Sequence, residues 1–149
     1  LTASGLRSAR LSRLPQRAPA EELDVVLIDR VGLLSSLYTM GQVAFVGGSF
    51  NYRVHNVMEP AVHGLPVLFG PLMDNAPEAY GLLDAGGAQR VSDADELAAA
   101  LVALAQDRPA SDAMESAARD YVVSNLGASA RTMDALRRTV LPPAPGDSS

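Results

Sequence analysis

The stretch Val43–Pro71, VAFVGGSFNYRVHNVMEPAVHGLPVLFGP, decides how this chain is read. An apolar run from Val43 to Gly47 opens into a loop containing glycine. A short helical segment carrying His55, Asn56 and Glu59 follows, and a second apolar run, Pro66 to Phe69, closes on Gly70 and Pro71. Strand, loop, helix and strand in about thirty residues make the size of one βαβ unit. The polar residues gather where the first strand ends and the helix begins, which is where parallel α/β sheets bind ligands.

The same alternation continues on both sides. Upstream, Leu6 to Ser12 reads as a weak edge strand among Arg7, Arg10 and Arg13, and 14–22 as a loop with two prolines. Asp24 to Asp29, DVVLID, is a short apolar run bounded by carboxylates, the pattern of a central strand covered on both faces. Gly32 to Met40 sets Leu33, Leu34, Leu37 and Tyr38 at helical spacing, with Gly41 as a stop. Downstream, 77–85 reads as a helix and 88–91 as a last short strand. Asp93 followed three residues later by Glu96 is a capping-box pattern, ahead of Leu97, Leu101 and Leu104 as a buried stripe that runs up to Pro109. Ser111 is expected to cap a helix with Met114, Ala118, Tyr121 and Val122 inward, ending at Gly127. Ser129 is expected to begin another, with Met133, Leu136 and Val140 inward. Residues 1–141 are read as one domain and 142–149, PPAPGDSS, as a disordered tail. The start at Leu1, inside a polar passage, suggests an excised piece of a larger protein. Short apolar strands alternating with helices favour an α/β fold, a parallel sheet with helices on both faces.

Composition narrows the chemistry. The 149 residues are 48% hydrophobic and 19% charged, as in a globular domain, and a net charge of -5 argues against a nucleic-acid-binding surface. Without cysteine there is no thiolate site, and two histidines, His55 and His63, are too few for a typical zinc centre, so no metal is expected. No apolar run approaches the ~20 residues of a membrane span, and nothing is amphipathic and basic enough to require a membrane contact.

Within the central stretch, Gly47 and Gly48 either make an ordinary turn or let a ligand approach the main chain. Asn56, Val57 and Met58 begin a helix whose N–H groups suit a phosphate. Asn56 and Glu59 are also an arrangement of the capping-box kind, disturbed by Pro60, and the alternative role for Glu59 is to accept from paired ribose hydroxyls. His55 is either a surface residue or a donor to phosphate or sugar, while His63 faces the helix end and reads as structural. Two further junctions follow strands: Asp29, Arg30, Val31, Gly32 and Leu33, and Asp74, Asn75 and Glu78. If the first strands lie side by side, the backbone of the former neighbours the Gly47-Gly48 loop and reads the edge of a base. No Walker sequence, GxGxxG spacing, serine-histidine-acid order or paired carboxylates are present.

These residues match a known pattern. VAFVGGSF followed by HNVMEPAVHGLPVLFGP closely resembles the C-terminal half of the 3-deoxy-D-manno-octulosonic acid (Kdo) transferases. The pattern there runs strand, Gly-Gly-Ser, a short loop, His-Asn-x-x-Glu-Pro-Ala and Pro-Val-x-x-Gly-Pro. The similarity extends through LIDRVGLLSSLYTMGQ and AYGLLDAGGAQRVSDADELAAAL, covering most of 24–105. The resemblance implies the C-terminal half of a GT-B glycosyltransferase, a Rossmann-like domain binding CMP-Kdo, with no cofactor. It further implies inverting transfer of Kdo to a lipid A precursor in lipopolysaccharide biosynthesis, at the cytoplasmic face of the inner membrane. An N-terminal domain outside this sequence would carry the general base, the acceptor face and the membrane contact, leaving this piece soluble, without a catalytic residue and inactive alone. By position, the implied donor-binding residues are Val31, Gly32, Leu33, Gly47, Gly48, Ser49, His55, Asn56, Val57, Met58 and Glu59, with Asn56 at the phosphate and Glu59 at the ribose. Leu33 replaces an acid of the family pattern, Leu72 a histidine and Pro77 a lysine. Those departures leave two alternatives: another GT-B enzyme using a UDP-sugar, or a non-catalytic nucleotide-binding module.

Overall fold

The computed structural model describes residues 5–14 and 23–126. The chain divides into two compact units, residues 1–40 and 41–149.

The first unit holds β1 (Ser8–Arg10), a 3-10 turn (Leu11–Arg13), β2 (Val25–Leu27) and α1 (Leu34–Tyr38). The strands pair in parallel, Ser8 opposite Val25 and Arg10 opposite Leu27. Carboxylates at both ends of β2 fix this pairing. Asp24 accepts from the Arg7 backbone N–H at 2.8 Å and from Arg7 Nη2 and Nε at 2.9 and 3.1 Å. Asp29 accepts from the Ser12 N–H at 3.0 Å and the Ser12 hydroxyl at 2.6 Å. The expectation that β2 is covered on both faces fails, for Val26 and Leu27 are 41% and 45% exposed. Among the described residues of this unit, two strands, a 3-10 turn and a five-residue helix are too few elements to cover both faces.

The second unit runs β3 (Ala44–Val46), α2 (Met58–Val62), β4 (Val67–Phe69), α3 (Pro77–Asp84), β5 (Ala88–Arg90), α4 (Ala94–Gln106) and α5 (Arg108–Asn125). Its strands form one parallel sheet in the order β3-β4-β5, with Ala44 opposite Val67 and Val67 opposite Ala88. Every residue of the central strand β4 is buried, and alternate side chains go to opposite faces. Val67 and Phe69 pack with Val57, Ala61, Ala79, Leu82, Ala118 and Val122 of the segments around α2, α3 and α5. Leu68 packs on the other side with Val91, Ala100 and the half-buried Leu97 and Leu104 of α4. The expected α/β arrangement, helices on both faces of a parallel sheet, is therefore present.

Local chemistry sets the helix limits. Asp93 caps α4 by accepting from the Glu96 N–H at 2.8 Å, and Glu96 returns to the Ser92 N–H at 2.7 Å. Along that helix Ala100 is buried while Leu101 is 37% exposed, so the buried stripe is narrower than the leucine spacing predicts. Ser111 does not cap α5. The helix starts at Arg108, Asp107 accepts from the Ala110 N–H at 3.0 Å, and Ser111 is buried inside the helix. Pro109 falls in the first turn, where a missing N–H removes no helical hydrogen bond. Gly127, the helix read from Ser129, the 142–149 tail and nearly all of the loop at 14–22 lie outside the described residues. Among the described residues no helix is long and apolar enough to cross a membrane.

Candidate functional site

The C-terminal ends of β3 and β4 lie side by side, and the loops leaving them are joined by hydrogen bonds. Ser49 is fully buried and its Oγ accepts from the Gly70 N–H at 2.6 Å. Its carbonyl accepts from the Leu72 N–H, and the Leu72 carbonyl in turn accepts from the Val54 N–H, both at 2.9 Å. The Val54 carbonyl accepts from Asn75 Nδ2 at 3.0 Å. Inside the β3–α2 loop the Gly48 carbonyl accepts from the Tyr52 N–H at 2.9 Å and the Gly47 carbonyl from the His55 N–H at 3.2 Å. Nearly every turn of this loop is thus tied to a neighbour, and its polar residues are presented from a fixed backbone.

The two glycines do different things. Gly48 has φ +92, and a Cβ there would lie 2.2 Å from the Arg53 carbonyl oxygen and 3.1 Å from the His55 ring. The space a side chain would need is filled by the loop itself, so Gly48 is a requirement of the turn. Gly47 has nothing within 4 Å of its missing Cβ, and it is here that an outside group can approach the main chain.

At the start of α2, Asn56 Oδ1 accepts from the Met58 N–H at 3.0 Å and the Glu59 N–H at 3.3 Å. The cap is real, and it removes the Met58 amide from the groups the sequence suggested for a phosphate. It engages only the oxygen, however, and the Nδ2 group of the exposed Asn56 remains a pair of donors. The Val57 side chain is fully buried in the core, so this residue has only its backbone to offer; Met58 and Glu59 are half-buried. His55 is exposed, with its ring over Gly48. Ser49 is a buried fastener under the loop and does not face solvent. Pro60 is accommodated in a helix of only five residues, which ends at Val62 and is followed, after His63, by Gly64 at φ +74.

Val31, Gly32 and Leu33 belong to the first unit. Val31 is fully exposed, Gly32 has φ +88 with open space around it, and Leu33 is half-buried ahead of α1. Just before them, the Ser12 hydroxyl and N–H hold the Asp29 carboxyl below its usual range, with Arg10 at 3.9 Å adding a little. Of the junction after β4, Asp74 accepts from the Tyr80 hydroxyl at 2.8 Å, which pushes the phenol up, and Asn75 reaches back to the other loop. The sequence reading missed what Ser49 and Asn75 do, because each acts on a backbone group 21 residues away and leaves no local pattern. It also passed over Arg53, whose guanidinium lies 6.0 Å from the Tyr52 ring centroid in the same loop.

No protein-family model matches the chain. A 3-deoxy-D-manno-octulosonic acid transferase of Bordetella pertussis is 36% identical over 138 residues, 91% of this chain and 32% of that protein. The enzyme of the same name from Haemophilus influenzae is 32% identical over 130 residues, 85% of this chain and 30% of that protein. That of Aquifex aeolicus is 43% identical over 68 residues, 45% of this chain and 19% of its own length. The chain therefore spans about a third or less of the curated relatives it matches. Among solved structures, the C-terminal CMP-Kdo binding domain of WaaA from Acinetobacter baumannii superposes with a TM-score of 0.74 at 26% identity, over 81% of this chain and 63% of that one.

Proposed function

Because the chain is a homologue of the C-terminal part of the Kdo transferases, we propose that it is the donor-binding half of such an enzyme, with CMP-Kdo as the donor. The observation that supports this most directly is the tied loop from Gly47 to Asn56, which sets His55, Asn56 and Glu59 at the C-terminal edge of a parallel sheet. In this reading Asn56 Nδ2 and the main chain at Gly47 meet the donor phosphate, and Glu59 accepts from the ribose hydroxyls. Gly48, Ser49 and Val57 shape the site from beneath, His55 and Met58 border it, and no cofactor or metal takes part.

The reaction of the whole protein follows from the same proposal. A base on a second domain removes the proton of an acceptor hydroxyl on a lipid A precursor, at the cytoplasmic face of the inner membrane. The oxygen attacks the anomeric carbon of Kdo from the face opposite the phosphate, the bond to phosphate breaks, the configuration inverts and CMP leaves. This chain would stabilise the departing phosphate with fixed donors rather than move the proton, and by itself it would bind the nucleotide without turning over.

Calorimetric titration with CMP against UMP tests the reading. CMP is expected to bind in preference to UMP, and Glu59→Ala to weaken CMP about ten-fold, the order of a hydrogen bond to a charged group. Unchanged binding by Glu59→Ala would return Glu59 to the helix start alone. Preference for UMP would favour a UDP-sugar donor, and turnover by the 149 residues alone would overturn the division of labour.

A further inference from the structure

We infer that Asn75 is a positioning residue of the donor site: from the loop after β4 it fixes the peptide that carries His55 and Asn56. The inference rests on the donor-binding reading above. The Val54 carbonyl and the His55 N–H belong to one planar peptide unit. At one end the carbonyl accepts from Asn75 Nδ2 at 3.0 Å; at the other the N–H donates to the Gly47 carbonyl at 3.2 Å. The Val54 N–H is held by the Leu72 carbonyl at 2.9 Å, and the Val54 side chain is 3% exposed within the core. With both ends engaged, the plane cannot pivot about the Val54 and His55 backbone torsions, and Asn56, the next residue but one, keeps the place from which it caps α2.

Without Asn75 one end of that plane is loose. Asn75 is itself exposed and its bond to the Val54 carbonyl is part-buried, so cutting the side chain back costs no more stability than about one hydrogen bond. The effect falls instead on the placement of His55 and Asn56, and hence on phosphate. Asn75 touches no ligand in this account; it acts through Val54.

The test is CMP titration and thermal unfolding of the full chain carrying Asn75→Ala or Asn75→Asp. At neutral pH both variants are expected to bind CMP about five-fold more weakly than wild type, within the usual worth of one hydrogen bond, with the melting temperature lowered by only a few degrees. The carboxylate of Asn75→Asp cannot donate to Val54, but its acid form can. Toward about pH 4, where such a carboxyl gains its proton, Asn75→Asp should recover affinity relative to Asn75→Ala at the same pH. A merely structural role would show no such recovery. Wild-type affinity in Asn75→Ala, or variants equally weak at every pH, would overturn the inference and leave the donor-binding reading standing. Failure of wild type to bind CMP would overturn both.

Discussion

Replacing Gly48 by alanine should damage the loop in a way that replacing Gly47 does not. At Gly48, φ is +92, a region that costs a residue with a Cβ about 1–2 kcal/mol. The new methyl would also lie 2.2 Å from the Arg53 carbonyl oxygen, a backbone atom that cannot turn aside as a side-chain tip can. Overpacking of this kind adds about 1–3 kcal/mol, so the total is on the order of 3 kcal/mol. In a domain of this size that lowers the melting temperature by roughly 10 °C. The cost has a ceiling. If the strain exceeds what holds the loop, the loop opens, the bonds from Tyr52 to Gly48 and from His55 to Gly47 break, and the rest of the fold survives. Either outcome displaces Asn56 and weakens CMP. Gly47→Ala puts its methyl in open space, so its melting temperature should stay within a degree or two of wild type while CMP binding falls, because the methyl stands where phosphate would approach. Differential scanning calorimetry with CMP titration on both variants reads these separately. Equal stability of the two variants, or undiminished CMP binding by Gly48→Ala, would refute the reasoning.

Two further outcomes follow from contacts outside the glycines. Ser49→Ala leaves the Gly70 N–H buried without its 2.6 Å partner and should cost about 1–3 kcal/mol in denaturant unfolding; a loss below about 0.5 kcal/mol would mean the loops do not depend on this bond. In the first unit Asp24, beside Arg7, and Asp29, beside Ser12, are both held below the ordinary 3.8. Their contribution to stability is therefore complete above that value and lost as the pH falls through the lower folded-state values. Following the Arg7 and Ser12 amide resonances through an acid titration should show both groups titrating below 3.8, and a midpoint at or above it would contradict the bonding described.

What the sequence reveals here depends on whether a residue acts near itself in the chain. The βαβ unit was legible because its strands are continuous apolar runs and Gly64 stops its helix, both local signals. Asp93 and Glu96 were legible for the same reason, since a cap spans three residues. Ser111 misled because a hydroxyl ahead of an apolar spacing resembles a cap. Asp107, four residues earlier, did the capping, and Pro109 in the first turn marked a beginning rather than an end. Covering of β2 could not be read from its composition, since exposure depends on what else packs against a strand, and DVVLID reads the same covered or bare.

The site shows the same limit more sharply. From sequence, Asn56 is either a cap or a ligand residue. The geometry removes the opposition: capping takes the amide oxygen, at 3.0 and 3.3 Å from two helix N–H groups, while a phosphate requires the amide nitrogen. On the proposed donor-binding reading capping assists, since it fixes the amide plane and would aim the donors before any ligand arrives. Ser49 moved the other way, from a candidate contact to a buried fastener, because a hydroxyl after two glycines looks the same whether it turns out to solvent or in toward Gly70. The loop binds, in this view, because its side chains divide their functional groups between holding the turn and facing outward. That division is a property of atoms, and a string of residue names does not contain it.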